Sequence, residues 1–383
     1  MTPTLDFKKI IKLTACVALV SVFATSCKKK DKDEDITEEP VGYAVPTTYD
    51  FGAMDTIAPK QAIAELGEFT GYIRKTHVIT NEFTLDVQKL RDYYENTNNP
   101  FTNTALNTGI KLKEKTSNAL GLQSALDASF VDAVAASINA NADYDTTTAS
   151  DGHSGKLVDA AAKRYILVDA NGVEYKEFVE KSIMGGVFYY QATTLLNSIA
   201  TLDNTAKDAN GLTAQQSAWD QAFAYFGVPV NFPAVKTGLK NWGSYANSVD
   251  VAIGCNATIM NAFLKGRAAI NNNDVAGRDE ARNIIVKTWE KVAAAKFIAY
   301  VKGAKTNITS QATFCHNLSE GVGFIQAFKY NSEKTISDAD ILLLLSYFQT
   351  NGSVNLYKVT PANLDLAINK MAALFNIDPA LIP

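Results

Sequence analysis

The segment best equipped for chemistry is Phe314-Cys315-His316-Asn317-Leu318-Ser319-Glu320-Gly321-Val322-Gly323. Here an imidazole and a carboxylate stand four positions apart, so on a helix they share one face. Such a pair offers two ligands to a divalent metal or iron, and a firm site needs a third or fourth. Gly321 and Gly323 each cost a helix about 1 kcal/mol. Something must compensate, either a neighbouring helix packed close or a ligand approaching the backbone. Three more charges fall on apolar stripes when the flanking helices are projected at about 100° per residue. Arg267 lies with Met260, Phe263 and Leu264. Lys296 lies with Ile285, Trp289, Val292, Ala293 and Tyr300. Glu180 lies with Met184, Val187 and Phe188, and Glu177 is beside it. A buried charge costs several kcal/mol unless it is paired. The candidate ligand-binding set is therefore His316, Glu320, Arg267, Glu180 and Lys296, with His316 and Glu320 as the candidate metal ligands. Arginine's planar fork suits such burial, and its expected partner is Glu180 or Glu320. The same residues also read as a structural ion network, or as long stems reaching past apolar surface to water.

Other chemistry is thin. There is no Gly-x-Ser-x-Gly elbow, no Walker loop and no His-Glu-x-x-His. The remaining histidines are His77 and His153, the latter in the loop Asp151-Gly152-His153-Ser154-Gly155. Whether the chain catalyses anything stays open at this level.

The elements that must position these residues are helices. Apolar residues recur at three and four positions through most of the chain. The spacing predicts helices over 57–75, 83–95, 103–122, 126–138, 173–204, 213–226, 249–270, 275–302, 308–330, 336–348 and 361–376. Thr213 with Gln216 has the form of a capping box, Ser337 or Asp338 opens the helix that follows, and Pro361 suits a first turn. Tyr165-Ile166-Leu167-Val168 is the best strand candidate, either half of a short hairpin or a loop, inside an insertion over 140–172. Residues 227–248, rich in proline and aromatics, read as an ordered loop able to wall a pocket. The expected fold is an all-α multi-helix bundle with two packed helical halves meeting near 173–204 and 249–330. No period of 20–50 residues marks a repeat array.

The N-terminus reads as an export signal. Lys8, Lys9 and Lys12 precede an apolar run from Leu13 to Thr25, too short to span a bilayer. It ends in Ala24-Thr25-Ser26-Cys27, which resembles a bacterial lipobox with Cys27 as the lipidated residue, although Ala24 stands where leucine is commoner. The expected organisation is a signal peptide over 1–26, a charged tether over 27–43 and a helical domain over 44–383. The run Lys28 to Asp35 has no apolar residue and cannot build a core. It resembles the acidic export tags of Bacteroidetes surface lipoproteins. Membrane attachment is then through lipid, at the outer membrane, facing outward or into the periplasm. The chain carries 36 Lys+Arg against 40 Asp+Glu, a net charge of −4. The first 26 residues hold three Lys and one Asp, so the remainder stands at −6. That balance argues against nucleic acid as a partner. Beyond the signal and Cys27, two of the four cysteines remain, Cys255 and Cys315. They are either bonded to each other or free.

Several segments are similar to a known family. They are Ala218-Trp219-Asp220-Gln221-Ala222-Phe223-Ala224-Tyr225-Phe226-Gly227-Val228-Pro229, Trp242-Gly243-Ser244-Tyr245-Ala246-Asn247, Phe263-Leu264-Lys265-Gly266-Arg267 and His316-Asn317-Leu318-Ser319-Glu320-Gly321. Together they resemble the DUF4856 group of Bacteroidetes lipoproteins from about residue 44 onward. That group looks distantly similar to the imelysin-like proteins, an all-helical class placed among the M75 peptidases and associated with iron-regulated systems. Their Gly-x-His-x-x-Glu motif is altered here. Phe314 replaces the glycine, and Glu320 follows His316 by four residues, which turns the carboxylate about 100° around a helix. The resemblance thus implies the helical fold more than a transferred metal site. The expected function is non-catalytic binding of a small-molecule, peptide or protein ligand at the cell envelope. The alternatives are an imelysin-like peptidase or metal-associated protein, and a structural or protein-interaction lipoprotein.

Overall fold

The computed structural model describes residues 42–52, 56–76, 85–116, 122–142, 147–161 and 163–383. The signal over 1–26, Cys27, the whole charged run Lys28 to Asp35 and His77 lie outside the described residues. In chain order the elements are α1 (Ile57–Arg74), α2 (Val87–Glu95), α3 (Leu122–Ala142), β1 (Gly155–Asp159), β2 (Arg164–Val168) and α4 (Tyr175–Ile183). A π-helical turn, Met184–Tyr189, then leads into α5 (Tyr190–Asn197). After it come α6 (Ala214–Phe226), α7 (Asn241–Ile253), α8 (Cys255–Asn271), α9 (Val275–Thr306), α10 (Gln311–Ala327), α11 (Asp338–Ser346), the two-residue strands β3 (Gln349–Thr350) and β4 (Ser353–Val354), and α12 (Pro361–Phe375). The architecture is an all-α multi-helix bundle. Its two small antiparallel hairpins, β1–β2 and β3–β4, close no sheet.

Side-chain capping sets several helix starts. Thr213 and Gln216 form the reciprocal box of α6, and Thr360 forms one with Asn363 ahead of Pro361 in α12. Ser310, Ser337 and Asp274 accept from the first-turn amides of α10, α11 and α9. Each side chain satisfies a donor that the helix itself leaves open.

The core gathers around α9, which packs along α8, α10, α12 and α7. One hydrophobic cluster runs from Tyr49 to Ile382, so residues of both expected halves share a core. Trp219, Trp242 and Trp289 are fully buried within it. The indole of Trp242 donates to the Met184 carbonyl at 3.0 Å, satisfying an acceptor in the π turn. Gly185 and Gly186 admit Ala327 and Leu126 at that turn, at distances a methyl group would close.

Four expectations are corrected. Of the helix expected over 103–122, the described residues 103–116 form two 3₁₀ turns, Thr104–Thr108 and Leu112–Lys115, because Asn103 and Asn107 side chains capture the local backbone. The helix expected over 249–270 is broken at Gly254, whose φ of +61° ends α7 and starts α8. The long connection runs only from 227 to 240, since Trp242 and Tyr245 already belong to α7. The span 173–204 is interrupted by the π turn and ends in a 3₁₀ turn, Ile199–Thr201. Tyr165–Val168 is a strand, with Leu157 paired to Ile166 across the hairpin.

Candidate metal centre

Helix α4 carries its charges on a helical stripe inside an apolar frame. Glu174, Glu177 and Lys181 follow at spacings of three and four, while Phe178, Val179 and Ile183 bury the other faces. Helix α10 lies against α4 and presents His316, Ser319, Glu320 and Gly323 to it. A Cβ on Gly323 would lie 2.5 Å from the Cβ of Lys181, so this glycine admits the lysine stem between the helices. The amide of Glu174, at the N-cap of α4, donates to Ser319 Oγ at 2.8 Å, and Ser319 donates on to the Cys315 carbonyl.

The charges interlock. His316 Nδ1 stands 2.7 Å from Glu174 Oε2 and 3.8 Å from Glu177 Oε1. Lys176 reaches Glu177 at 2.5 Å and Glu180 at 2.8 Å. Lys181 reaches Glu177, Glu180 and Glu320 at 3.2, 3.1 and 2.8 Å. Its ammonium also lies over the rings of Tyr245 and Phe324. The Tyr245 hydroxyl donates to Glu180. Lys296 places its ammonium over Tyr300, 4.5 Å from the ring centroid, and over Tyr245.

Burial penalises every charged form here, and the partners decide which survive. Glu177 is held well below the usual carboxylate range, because Lys181 and Lys176 outweigh its desolvation. Glu180 is lowered by the same two lysines, again against desolvation. Glu320 goes the other way. Burial, and next the negative charge of Glu177, push it up to about 8. Its neutral form is favoured beside the ionised Glu177, although Lys181 stands 2.8 Å away and pulls the other way. His316 loses to desolvation but gains more from Glu174, so its imidazolium is favoured. Desolvation lowers Lys296 to about 8.

Two states follow from this geometry. With His316 protonated, the cluster is a neutralised ionic knot. With the proton gone, Glu174, Glu177 and His316 each bring one ligand atom within 4.8 Å of the other two. Metal–ligand bonds of about 2.0–2.2 Å need adjacent donors roughly 3 Å apart, so Glu174, 2.7 Å from His316, would part from it slightly and Glu177, 3.8 Å away, would draw in. Two carboxylates and one imidazole suit zinc, iron or manganese over soft-ligand metals.

The structure thus brings His316, Glu320 and Glu180 into one cluster, with Lys296 at its aromatic edge. Glu320 lies on Lys181, while the side chains gathered about His316 are Glu174 and Glu177. Arg267 is elsewhere. Its partner is Asp220 of α6, Nε to Oδ1 at 2.8 Å, and neither Glu180 nor Glu320. Projection gave its buried face correctly but could not say which helix lies opposite. Gly266 admits that helix, since a Cβ there would fall 2.0 Å from the Trp219 ring. His153 sits exposed in a turn. Cys255 and Cys315 are free and buried, so no disulfide joins them. Sequence reading missed Glu174, Lys176 and Lys181. Their signal was the three-and-four recurrence of charge within an otherwise apolar helix.

The family described as Domain of unknown function (DUF4856) matches residues 61–378. No curated protein and no solved structure matches the chain.

Proposed function

The chain belongs to the DUF4856 family, over a span that contains the whole cluster, and from this we propose that it is an exported lipoprotein whose helical domain binds a divalent metal ion at Glu174, Glu177 and His316. The carrying observation is the convergence of three ligand atoms from α4 and α10 in a buried site. Ser319, fixed between the Glu174 amide and the Cys315 carbonyl, holds the two helices in the register the ligands need. The lysines that neutralise Glu177 in the metal-free state are long enough to swing aside when a cation enters. The function is binding at the cell envelope rather than catalysis, with Cys27 carrying the lipid. A peptidase would use the same His316.

The test uses the full chain in detergent, purified without a histidine tag, stripped with chelator and titrated with Zn²⁺ and Mn²⁺. One equivalent bound by the wild type, and lost in both His316→Ala and Glu174→Gln, is the expected result. Binding unchanged in both variants would remove the site from Glu174 and His316. No binding at all would leave the cluster as a structural ion network.

A further inference from the structure

A second site lies between the strap 44–52 and α8, sharing no residue with the metal cluster. It is a cavity of about 290 Å³, near the small end for ligand pockets. Tyr49 and Asp50 line one wall, and Arg267, Asn271 and Asn272 line the other. Tyr49 and Arg267 are fixed in place. Tyr49 stacks on Phe223 at 3.9 Å between centroids, and its hydroxyl donates to Asp220 Oδ1 at 2.5 Å. The same oxygen takes Arg267 Nε. Arg267 Nη1 donates to Asn271 Oδ1, which also accepts from Gln216.

These bonds use up part of the polar capacity and leave a defined remainder. Among the described residues, Arg267 Nη2 and Asn271 Nδ2 are donors with no hydrogen bond. Asp50 accepts only from the Gly52 amide at 2.8 Å, which leaves its second oxygen open. Charge then selects the ligand. Asp220 already balances Arg267, and Asp50 adds a negative charge on the opposite wall. A simple anion meets Asp50, and a simple cation meets the guanidinium. A molecule carrying both charges satisfies each wall.

We propose that this cavity binds a small zwitterion of the free α-amino-acid class. The carboxylate is taken by Arg267 Nη2 and Asn271 Nδ2, and the ammonium by Asp50. A charge-assisted bond at each end fixes the orientation.

Calorimetric titration of the full chain in detergent with the twenty free L-amino acids, acetate and methylammonium tests this. At least one amino acid binds, and acetate and methylammonium bind at least about tenfold more weakly. Asp50→Asn, at an exposed position that keeps the Gly52 bond, weakens the amino acid by about tenfold or more and leaves the melting temperature of the free protein unchanged. Arg267→Lys keeps the charge opposite Asp220 but loses the fork, and weakens binding as well. The proposal is overturned if no amino acid binds at millimolar concentration. Acetate binding as tightly as any amino acid, or Asp50→Asn without effect, overturns it equally. None of these readouts involves the metal ligands, so this proposal and the metal reading fail separately.

Discussion

At the residue scale, the α4–α10 cluster separates two glutamates that look alike in sequence. Glu177 is held in its ionised form by Lys176 and Lys181, whereas burial and the charge of Glu177 push Glu320 toward its neutral form. Glu177→Gln leaves two buried ammonium groups sharing Glu180 as their main remaining counter-charge and should destabilise the metal-free protein by roughly 3 kcal/mol. Glu320→Gln keeps both shape and neutrality and should cost no more than about 1 kcal/mol. Urea unfolding at pH 7 checks both, and equal losses would contradict the assignment. The pH dependence has a definite sign. Glu177 and Glu180 are lowered on folding, so their stabilisation is present above the unfolded value of about 4.3 and is lost as pH falls below it. Glu320 is raised, so its protonated form favours the fold at low pH and that advantage drains away as pH climbs toward about 8. His316 is raised as well, and its contribution is lost above the unfolded value of about 6.5. Stability of the metal-free protein should therefore peak between about pH 4.5 and 6.5, and Glu320→Gln should flatten the alkaline decline. Metal affinity runs the opposite way. His316 must release its proton to bind, so affinity rises with pH. The residues legible in sequence were His316 and Glu320, whose spacing of four puts them on one helix face, and Glu180 and Lys296, whose charge interrupted an apolar stripe. Glu174 was not legible, because an acid in the first turn of a helix is ordinary and complements the macrodipole.

At the element scale, three helical glycines make a graded test of close packing. Gly266→Ala would drive a methyl into the Trp219 ring, and Gly323→Ala would drive one into the Lys181 stem. Each should lose about 1–3 kcal/mol, more than the roughly 1 kcal/mol gained in helix propensity. Gly321→Ala meets Val301 at 3.4 Å and Phe297 at 3.7 Å, ordinary contacts, and should be neutral or stabilising. Thermal melts of the three variants rank them, and Gly321→Ala as the worst would overturn this packing. Helix existence was legible because the three-and-four spacing survives folding. Breaks were less so. The apolar repeat runs through Gly254 without a gap, and only the left-handed φ of that glycine separates α7 from α8. The π turn was invisible for a related reason, since Met184–Tyr189 adds a residue to the turn without changing residue type.

At the scale of the molecule, the anchor and the site are separate claims. Cys27→Ser should leave an unlipidated chain that partitions into the soluble fraction, with the same metal stoichiometry as the wild type. Membrane attachment unchanged by that substitution would contradict the lipoprotein reading and leave the site untouched. The fold class was legible from periodicity alone, but the joining of both expected halves into one core was not, because a periodic pattern records a buried face and not its neighbour. The most direct test of the central claim is X-ray absorption at the zinc edge of the full chain loaded with one equivalent of Zn²⁺. The account predicts a first shell of oxygen and nitrogen at about 2.0–2.1 Å, imidazole scattering from one histidine that disappears in His316→Ala, and no sulfur at about 2.3 Å. A sulfur shell, or an imidazole signal that survives His316→Ala, would contradict it.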